Sequence, residues 1–212
     1  MSLTIIGGSS ASAPVTRFSD SFAADSLASY TFPTGASTDW TVTGGELAPA
    51  NTNFSRPTPN GFPSTFSNVY AKMKFKLSGS LAAGLGLYAR GIDASNYLYV
   101  NVGTNGTVLA TNKRDAGVGT ALASFVLSSA LTLDVYYWIE ASFRGNGIET
   151  RLYEADPSGS VVVRDATTYT LVGADATKYG SGIAGSAGIF SSPGHTSQRI
   201  DDLVLAKSPW DA

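Results

Sequence analysis

The stretch "GLGLYARGIDASNYLYVNV", residues 84–102, contains the clearest signal for secondary structure in the sequence. It contains two runs, 84–90 and 96–102, in which aliphatic residues alternate with aromatic or polar ones. Because side chains alternate between the two faces of a β-strand, this spacing predicts two antiparallel strands joined around "GIDASN". The expected cross-strand pairs are Arg90 with Tyr97, Tyr88 with Tyr99, and Gly86 with Asn101.

One face of this predicted hairpin is aliphatic. A second stretch, "WIEASFRGNGIETRLYEA" at 138–155, sorts its side chains in the same way. A sheet with one aliphatic face must bury that face against another layer. We therefore predict that these residues are buried between two sheets: Leu85, Leu87, Leu98, Val100, Ile139, Phe143 and Leu152.

The opposite face of the first hairpin is aromatic and polar. We predict that it forms one outward patch made of Tyr88, Arg90, Tyr97, Tyr99 and Asn101. The next run keeps the same parity and adds Asn112 and Arg114. Aromatic rings can stack on sugars, and Arg and Asn can hydrogen-bond hydroxyl groups, so the patch is expected to contact a glycan or a neighbouring protein. The alternative is a solvated sheet face whose side chains only pair across the strands.

Ten such runs follow one another between residues 68 and 205, separated by turn residues such as the "GTNG" at 103–106. Short alternating runs at this spacing are typical of an all-β sandwich or barrel, and we find no amphipathic helix longer than two turns. We predict an arm at 1–17, one sandwich domain at 18–206 and a tail at 207–212. Residues 48–67 are expected to form a long loop.

The composition excludes several functions. The 212 residues include 14 Lys and Arg against 16 Asp and Glu, and the basic residues are scattered rather than clustered, so no nucleic-acid partner is expected. No apolar run is long enough to cross a membrane. The absence of Cys excludes disulfides and thiolate metal sites. The start, "MSLTIIGGSSASAP", lacks the basic residues of a signal peptide.

Several motifs together resemble the concanavalin A-like lectin and glucanase superfamily. They are "FSDSF" at 18–22, "DWTVTGGEL" at 39–47, "NVYAKMKFKL" at 68–77, the two hairpins above and the closing "GIAGSAGIFSSPGHTSQRIDDLVL". The resemblance implies an antiparallel two-sheet jelly-roll sandwich. It also implies that the outer face of one curved sheet holds a sugar chain.

The same resemblance provides a test for catalysis. Glycosidases of this superfamily carry Glu-x-Asp-x-Glu on one strand, whereas the matching strand here carries Tyr97, Tyr99 and Asn101. Glycoside hydrolysis needs two carboxyl groups beside the scissile bond. Glu154 with Asp156, and Asp201 with Asp202, are unconvincing pairs, and the single histidine, His195, lies in a predicted loop. We therefore expect no enzymatic activity.

A calcium site is a further implication of the resemblance, since such domains often bind calcium where the first and last strands pair. The matching residues are Asp20, Asp201 and Asp202, which could supply oxygen ligands together with carbonyl groups and water. The alternative is that these aspartates cap a strand end or pair with Arg17 or Arg199. No cofactor is required by this interpretation, and calcium is an optional one.

These observations predict a non-catalytic, lectin-like module that binds a glycan or cell-surface polysaccharide. A lectin-like fold without an export signal also fits a surface component of a phage tail or capsid, attached to other virion proteins through residues 1–17. The expected location is accordingly extracellular or on a virion surface. A glycan-cleaving hydrolase or lyase of the same fold is the alternative.

Overall fold

The computed structural model describes residues 15–51, 53–81, 84–103, 105–154, 163–194, 196 and 198–207, with the backbone alone at 15–17. The predicted arm lies outside this description up to residue 14, and the first strand begins at Val15. The predicted tail lies outside it from residue 208 onward, and the last strand ends at Lys207.

The described residues form fifteen strands, one α-helix and two short 3-10 turns. The strands are β1 (Val15–Asp20), β2 (Tyr30–Thr31), β3 (Trp40–Thr43), β4 (Glu46–Pro49), β5 (Thr58–Pro59), β6 (Val69–Leu77), β7 (Leu85–Gly91), β8 (Tyr97–Gly103), β9 (Val108–Asp115), β10 (Val118–Val126), β11 (Tyr137–Arg144), β12 (Gly147–Tyr153), β13 (Asp165–Thr170), β14 (Ser186–Ser191) and β15 (Gln198–Lys207). Helix α1 is Gly173–Tyr179, and the 3-10 turns are Leu27–Ser29 and Ser37–Asp39.

Two antiparallel sheets form a sandwich, which confirms the predicted all-β jelly-roll fold. The eight-stranded sheet has the order β13-β12-β11-β6-β15-β4-β3, and β1 pairs with β15 beside this path. The five-stranded sheet has the order β10-β9-β8-β7-β14. A small ribbon of β2 and β5 completes the pairings in the described part of the chain.

The core lies between the two sheets and follows from the alternation in the sequence. Strand β6 shows this directly, because Val69, Met73 and Leu77 are buried while Lys72 and Lys76, between them, are partly exposed. All seven residues predicted for the core are buried, with at most 1% of their surface exposed. Burial of one aliphatic face from each sheet is the main force that holds such a sandwich together.

The register of the first hairpin is confirmed except at Arg90. Tyr88 pairs with Tyr99, and Gly86 pairs with Asn101, as predicted. Arg90 does not pair with Tyr97, since its φ of 53° is in the left-handed region and the regular pairing of β7 with β8 ends at Ala89. A backbone kink at this point breaks the parity on which the prediction depended.

The outer face of the five-stranded sheet is partly covered by residues 53–59, which we call the covering segment. Its backbone runs beside β14, where Ser55 and Ser191 form a β-bridge and the Ile189 N–H donates to Pro57 O at 3.1 Å. Asp39 anchors the start of this segment, because its carboxylate accepts hydrogen bonds from the side chains of Asn51 and Asn53 at 2.8 and 2.9 Å. In the part of the chain that the structure describes, no helix is long and apolar enough to cross a membrane.

Candidate functional site

The predicted outward patch is only partly outward. The side chains of Tyr88, Arg90 and Tyr97 are fully buried, so the prediction that they face solvent is wrong. Tyr99 and Asn101 are partly exposed. The patch is therefore divided into a covered half around Tyr88 and Tyr97 and an open half around Tyr99.

In the covered half, side chains of the covering segment pack against the buried tyrosine rings. The guanidinium carbon of Arg56 lies 3.9 Å from the centre of the Tyr97 ring and 4.8 Å from that of Tyr88. The Tyr88 hydroxyl hydrogen-bonds the hydroxyl of Thr58. Burial raises the pKa of both tyrosines, to about 12 for Tyr97, although the positive charge of Arg56 opposes the shift. These groups form a packed cluster that a ligand cannot reach without displacing the segment.

Arg90 is buried for a different reason. Its Nε donates to Ser67 O at 3.0 Å, and its Nη1 donates to Tyr179 O at 2.5 Å, so its side chain ties β7 to the segment before β6 and to helix α1. Charged donors that satisfy buried carbonyl groups rigidify a structure. Arg90 is thus a structural residue and not part of a binding surface.

The open half is a groove of about 350 Å³, which we call the Tyr99 groove. Among the described residues, those that line it carry no charge. They are Gly84, Tyr99, Asn101, Gly103, Val108, Ala110, Asn112, Ala121, Ser124, Phe190 and Ser192. The floor crosses several strands, since Tyr99 pairs with Asn112, and Asn101 pairs with Ala110, which in turn pairs with Ser124.

An aromatic stack forms one side of the Tyr99 groove. The rings of Tyr99 and Phe190 lie 4.1 Å apart at an interplanar angle of 18°. Gly86, which pairs with both Phe190 and Asn101, places no side chain between the two rings, and a Cβ added there would lie 1.8 Å from Val100 O. Burial raises the pKa of Tyr99, so its hydroxyl is a neutral donor and acceptor at neutral pH.

Two amide side chains form the polar part of the Tyr99 groove. The Nδ2 of Asn112 donates to Oδ1 of Asn101 at 2.7 Å, and Nδ2 of Asn101 donates to Val102 O at 3.2 Å. These hydrogen bonds fix the orientation of both amides before a ligand arrives. A flat ring beside oriented amides can contact an apolar face and bind hydroxyl groups at the same time.

The sequence indicated part of this groove. Alternation placed Tyr99, Asn101 and Asn112 on one face, and the structure brings them together. Phe190 was missed, although the buried Ala187 and Ile189 alternate with it on β14 and could have placed it on the outer face. Arg56 was missed because it lies in a loop, where no periodicity indicates which way a side chain points.

The three aspartates predicted for calcium do not form a ligand set. Asp20 pairs with the inward-facing Leu203 and accepts hydrogen bonds from the Phe22 N–H and the Tyr30 hydroxyl. Asp202 precedes Leu203 and pairs with Lys74 on the opposite, outer face, while Asp201 forms an ion pair with the same lysine. The described residues contain no cluster of three potential metal ligands. The carboxylates of Asp20 and Asp202 therefore lie on opposite faces of the sheet, so the structure does not bring the three aspartates together.

None of the described carboxylates considered for catalysis lines the Tyr99 groove. Glu154 forms an ion pair with Arg164 at 3.2 Å, and Asp156 lies outside the described residues, as does His195. The outer face of the eight-stranded sheet does carry two neighbouring acids. Arg151 contacts Glu140 at 3.7 Å and Glu149 at 2.5 Å.

Comparison with known proteins supports the fold. No protein-family model matches the chain, and no curated protein matches its sequence. Solved structures do match. The carbohydrate-binding module CBM66 from Bacillus subtilis is 13% identical with a TM-score of 0.55, over 84% of this chain and 92% of that one. The CBM2 module of the evolved Dit protein of Lactobacillus casei BL23 phage J-1 is 12% identical with a TM-score of 0.56, over 93% and 97%.

An enzyme matches as well. The GH43 protein BlXynB from Bacillus licheniformis is 14% identical with a TM-score of 0.59, over 89% of this chain but 39% of that longer one. Lectins are among the other matching structures. The chain therefore has a concanavalin A-like, lectin-like β-sandwich fold, as its motifs predicted. At these identities the likeness concerns the fold alone.

Proposed function

We propose that this chain is a non-catalytic glycan-binding module and that the Tyr99 groove is its binding site. The observation that carries the proposal is the combination of a partly exposed tyrosine ring with two oriented amides, the half-buried Asn101 and the buried Asn112, in a groove whose described lining is uncharged. A volume of about 350 Å³ is near the lower end of small-molecule sites, so the groove fits a short segment of a sugar chain. Two of the matching structures are carbohydrate-binding modules, which supports the same class of ligand.

The mechanism of binding follows from the chemistry of the groove. A pyranose ring has an apolar C–H face that can contact the ring of Tyr99, while its equatorial hydroxyl groups point sideways. Those hydroxyls can exchange hydrogen bonds with Asn101 and Asn112, whose amides are already held in place. Because both amides are already ordered, binding a sugar costs less conformational entropy than it would with mobile side chains.

The lack of catalysis is part of the proposal. Glycoside hydrolysis needs two carboxyl groups near the scissile bond, and the described lining of the Tyr99 groove offers none. The alternative is a glycan-cleaving enzyme, favoured by the likeness to a GH43 protein and by the neighbouring Glu140 and Glu149. Reducing ends released from a glycan panel by the wild type, and lost in Glu140→Gln, would support that alternative.

A glycan array followed by calorimetric titration of the strongest binder tests the proposal. Tyr99→Ser should weaken binding at least tenfold, which is ~1.4 kcal/mol. Tyr136→Ser is the matched control, since Tyr136 is a partly exposed tyrosine that contacts Lys74 and Lys76 of the eight-stranded sheet. Equal binding by wild type and both variants, or no binding by the wild type, would contradict the proposal.

The finer proposal is that the module is a surface component of a phage particle and acts outside the cell. Its support is the likeness to a module of the phage J-1 Dit protein over nearly the whole of both chains. We propose that the N-terminal residues attach it to other virion proteins. Deletion of residues 1–14, which spares β1, should leave glycan binding intact and abolish incorporation into particles. Unchanged incorporation would contradict this attachment.

A further inference from the structure

A positively charged residue lies just beyond the uncharged floor of the Tyr99 groove. Arg114 follows Asn112 on the same face of β9, about 7 Å further along the strand. It pairs with Tyr97, and its guanidinium carbon lies 4.6 Å from the centre of the Phe54 ring. Its side chain is partly exposed, so a ligand in the groove can reach it.

A second guanidinium lies behind the first. Arg56 is fully buried, and its single side-chain hydrogen bond in the described part of the chain runs from Nη2 to Asp93 O at 3.1 Å. Its Nε and Nη1 have no hydrogen-bond partner there. Burial lowers the pKa of Arg56, and the nearby positive charge of Arg114 acts in the same direction. Arg56 nevertheless stays charged, as arginines in proteins do.

Neither arginine forms an ion pair among the described residues, although the nearby charge of Asp93 acts to raise the pKa of Arg56. The ion pairs of the described chain involve other residues: Lys74, Lys76, Lys113, Arg151, Arg164 and Lys178. Two neighbouring cations that form no ion pair in the described part of the chain create a positive potential at this end of the groove. Aromatic rings of Tyr97 and Phe54 stabilise the two charges through cation–π contacts but do not neutralise them.

We infer that the Tyr99 groove binds an acidic glycan, whose carboxylate or phosphate group is held by Arg114 while the adjacent sugar ring lies on Tyr99. A guanidinium binds either anion through two parallel N–H donors, which gives direction as well as attraction. Arg56 does not touch the ligand in this arrangement and acts only through its charge, which adds to the positive potential at Arg114. The inference rests on the proposed function, because it needs the sugar to occupy the groove.

The test compares acidic and neutral forms of one glycan by calorimetric titration at low salt. The probes are trigalacturonate, its carboxyl-reduced trisaccharide and that trisaccharide phosphorylated at its O6 positions, which separates a carboxylate from a phosphate source. The wild type should bind one acidic probe at least tenfold more tightly than the neutral trisaccharide. Arg114→Gln should abolish this preference. Arg144→Gln, which removes an exposed arginine of the other sheet, should preserve it.

Two further measurements separate this inference from the proposed function. Raising the salt concentration should reduce the acidic preference, because ions screen partly exposed charges. Tyr99→Ser should weaken binding of acidic and neutral probes alike. Equal affinity for acidic and neutral probes, or a preference that survives Arg114→Gln, would overturn the acidic-glycan inference while leaving glycan binding in place. Binding of none of the probes by the wild type would overturn the inference, and a glycan array without any binder would overturn the proposed function as well.

Discussion

The two halves of the outer face of the five-stranded sheet have the same strand pattern but different environments. Tyr97 and Tyr99 are neighbours on one face of β8, yet Tyr97 is fully buried under Arg56, whereas Tyr99 is partly exposed in a groove. The difference comes from the covering segment, which runs beside β14 and extends over one half only. A single face of a sheet thus forms a second small core at one end and an open groove, the proposed glycan site, at the other.

The largest loss of stability is expected in the covered half, if its buried side chains are packed like a core. Tyr97→Ala should lower the free energy of unfolding by ~3–5 kcal/mol, as loss of a buried aromatic side chain does, and it also removes the ring that Arg56 contacts. Leu87→Ala, on the inner face of the same hairpin, should cost ~2–5 kcal/mol. Urea denaturation measures both. A cost below about 1 kcal/mol for Tyr97→Ala would mean that the covering segment is not packed as described.

A smaller effect concerns the anchor of the covering segment. Asp39 has a lowered pKa, mainly because Asn51 donates a hydrogen bond to it, and the Asn53 side chain and the Ala36 N–H also donate. Asp39→Asn should lower the free energy of unfolding at pH 7 by ~1.5–3 kcal/mol, the range for hydrogen bonds to a charged group. It should also speed amide exchange around Phe54.

The pH dependence of this effect has a definite sign. Since the pKa of Asp39 is lower in the folded chain than in the unfolded one, its stabilising contribution is fully present above about pH 4 and is lost as the pH falls through the lowered value. The difference in stability between wild type and Asp39→Asn should therefore narrow on acidification. A difference that stays constant from pH 7 to pH 3 would show that the charge of Asp39 plays no part.

In the open half, the same kind of substitution should have a modest effect on stability. Tyr99→Ser removes the stack on Phe190, and an aromatic pair contributes ~0.5–1.5 kcal/mol beyond its buried area. The melting temperature should therefore fall by less than in Tyr97→Ala, while the circular dichroism spectrum stays that of a β-sandwich. A loss of stability equal to that of Tyr97→Ala would show that the groove is also core.

The smallest effect on stability is expected from calcium. Because Asp20 lies on the inner side of the sheet and Asp202 on the outer side, calcium should not stabilise the chain. A ligand at 100 times its Kd would add ~2.7 kcal/mol to the free energy of unfolding. Addition of calcium, or its removal with EDTA, should leave the melting temperature unchanged, and a clear rise with calcium would contradict this placement.

How far the sequence predicts this structure depends on the kind of signal. Strand alternation predicted an all-β sandwich or barrel, the core residues and the pairing of Tyr88 with Tyr99, because these depend on local periodicity, whereas the jelly-roll arrangement was implied by the family resemblance. It could not predict Arg90, where one residue with positive φ breaks the parity. It could not predict the covered half either, because the residues that bury Tyr97 come from a loop about 40 positions earlier in the sequence. The candidate site was therefore predicted at Tyr99 and Asn101 and misplaced at its other end.

Amide chemical shifts measured during titration with the strongest array binder show whether a glycan lies in the Tyr99 groove. If the glycan lies there, the perturbed amides should cluster around Tyr99, Asn101 and Asn112, with little change on the eight-stranded sheet. Perturbations that cluster instead around Glu140 and Trp138 of that sheet, or a titration without any perturbation, would contradict this placement of the glycan.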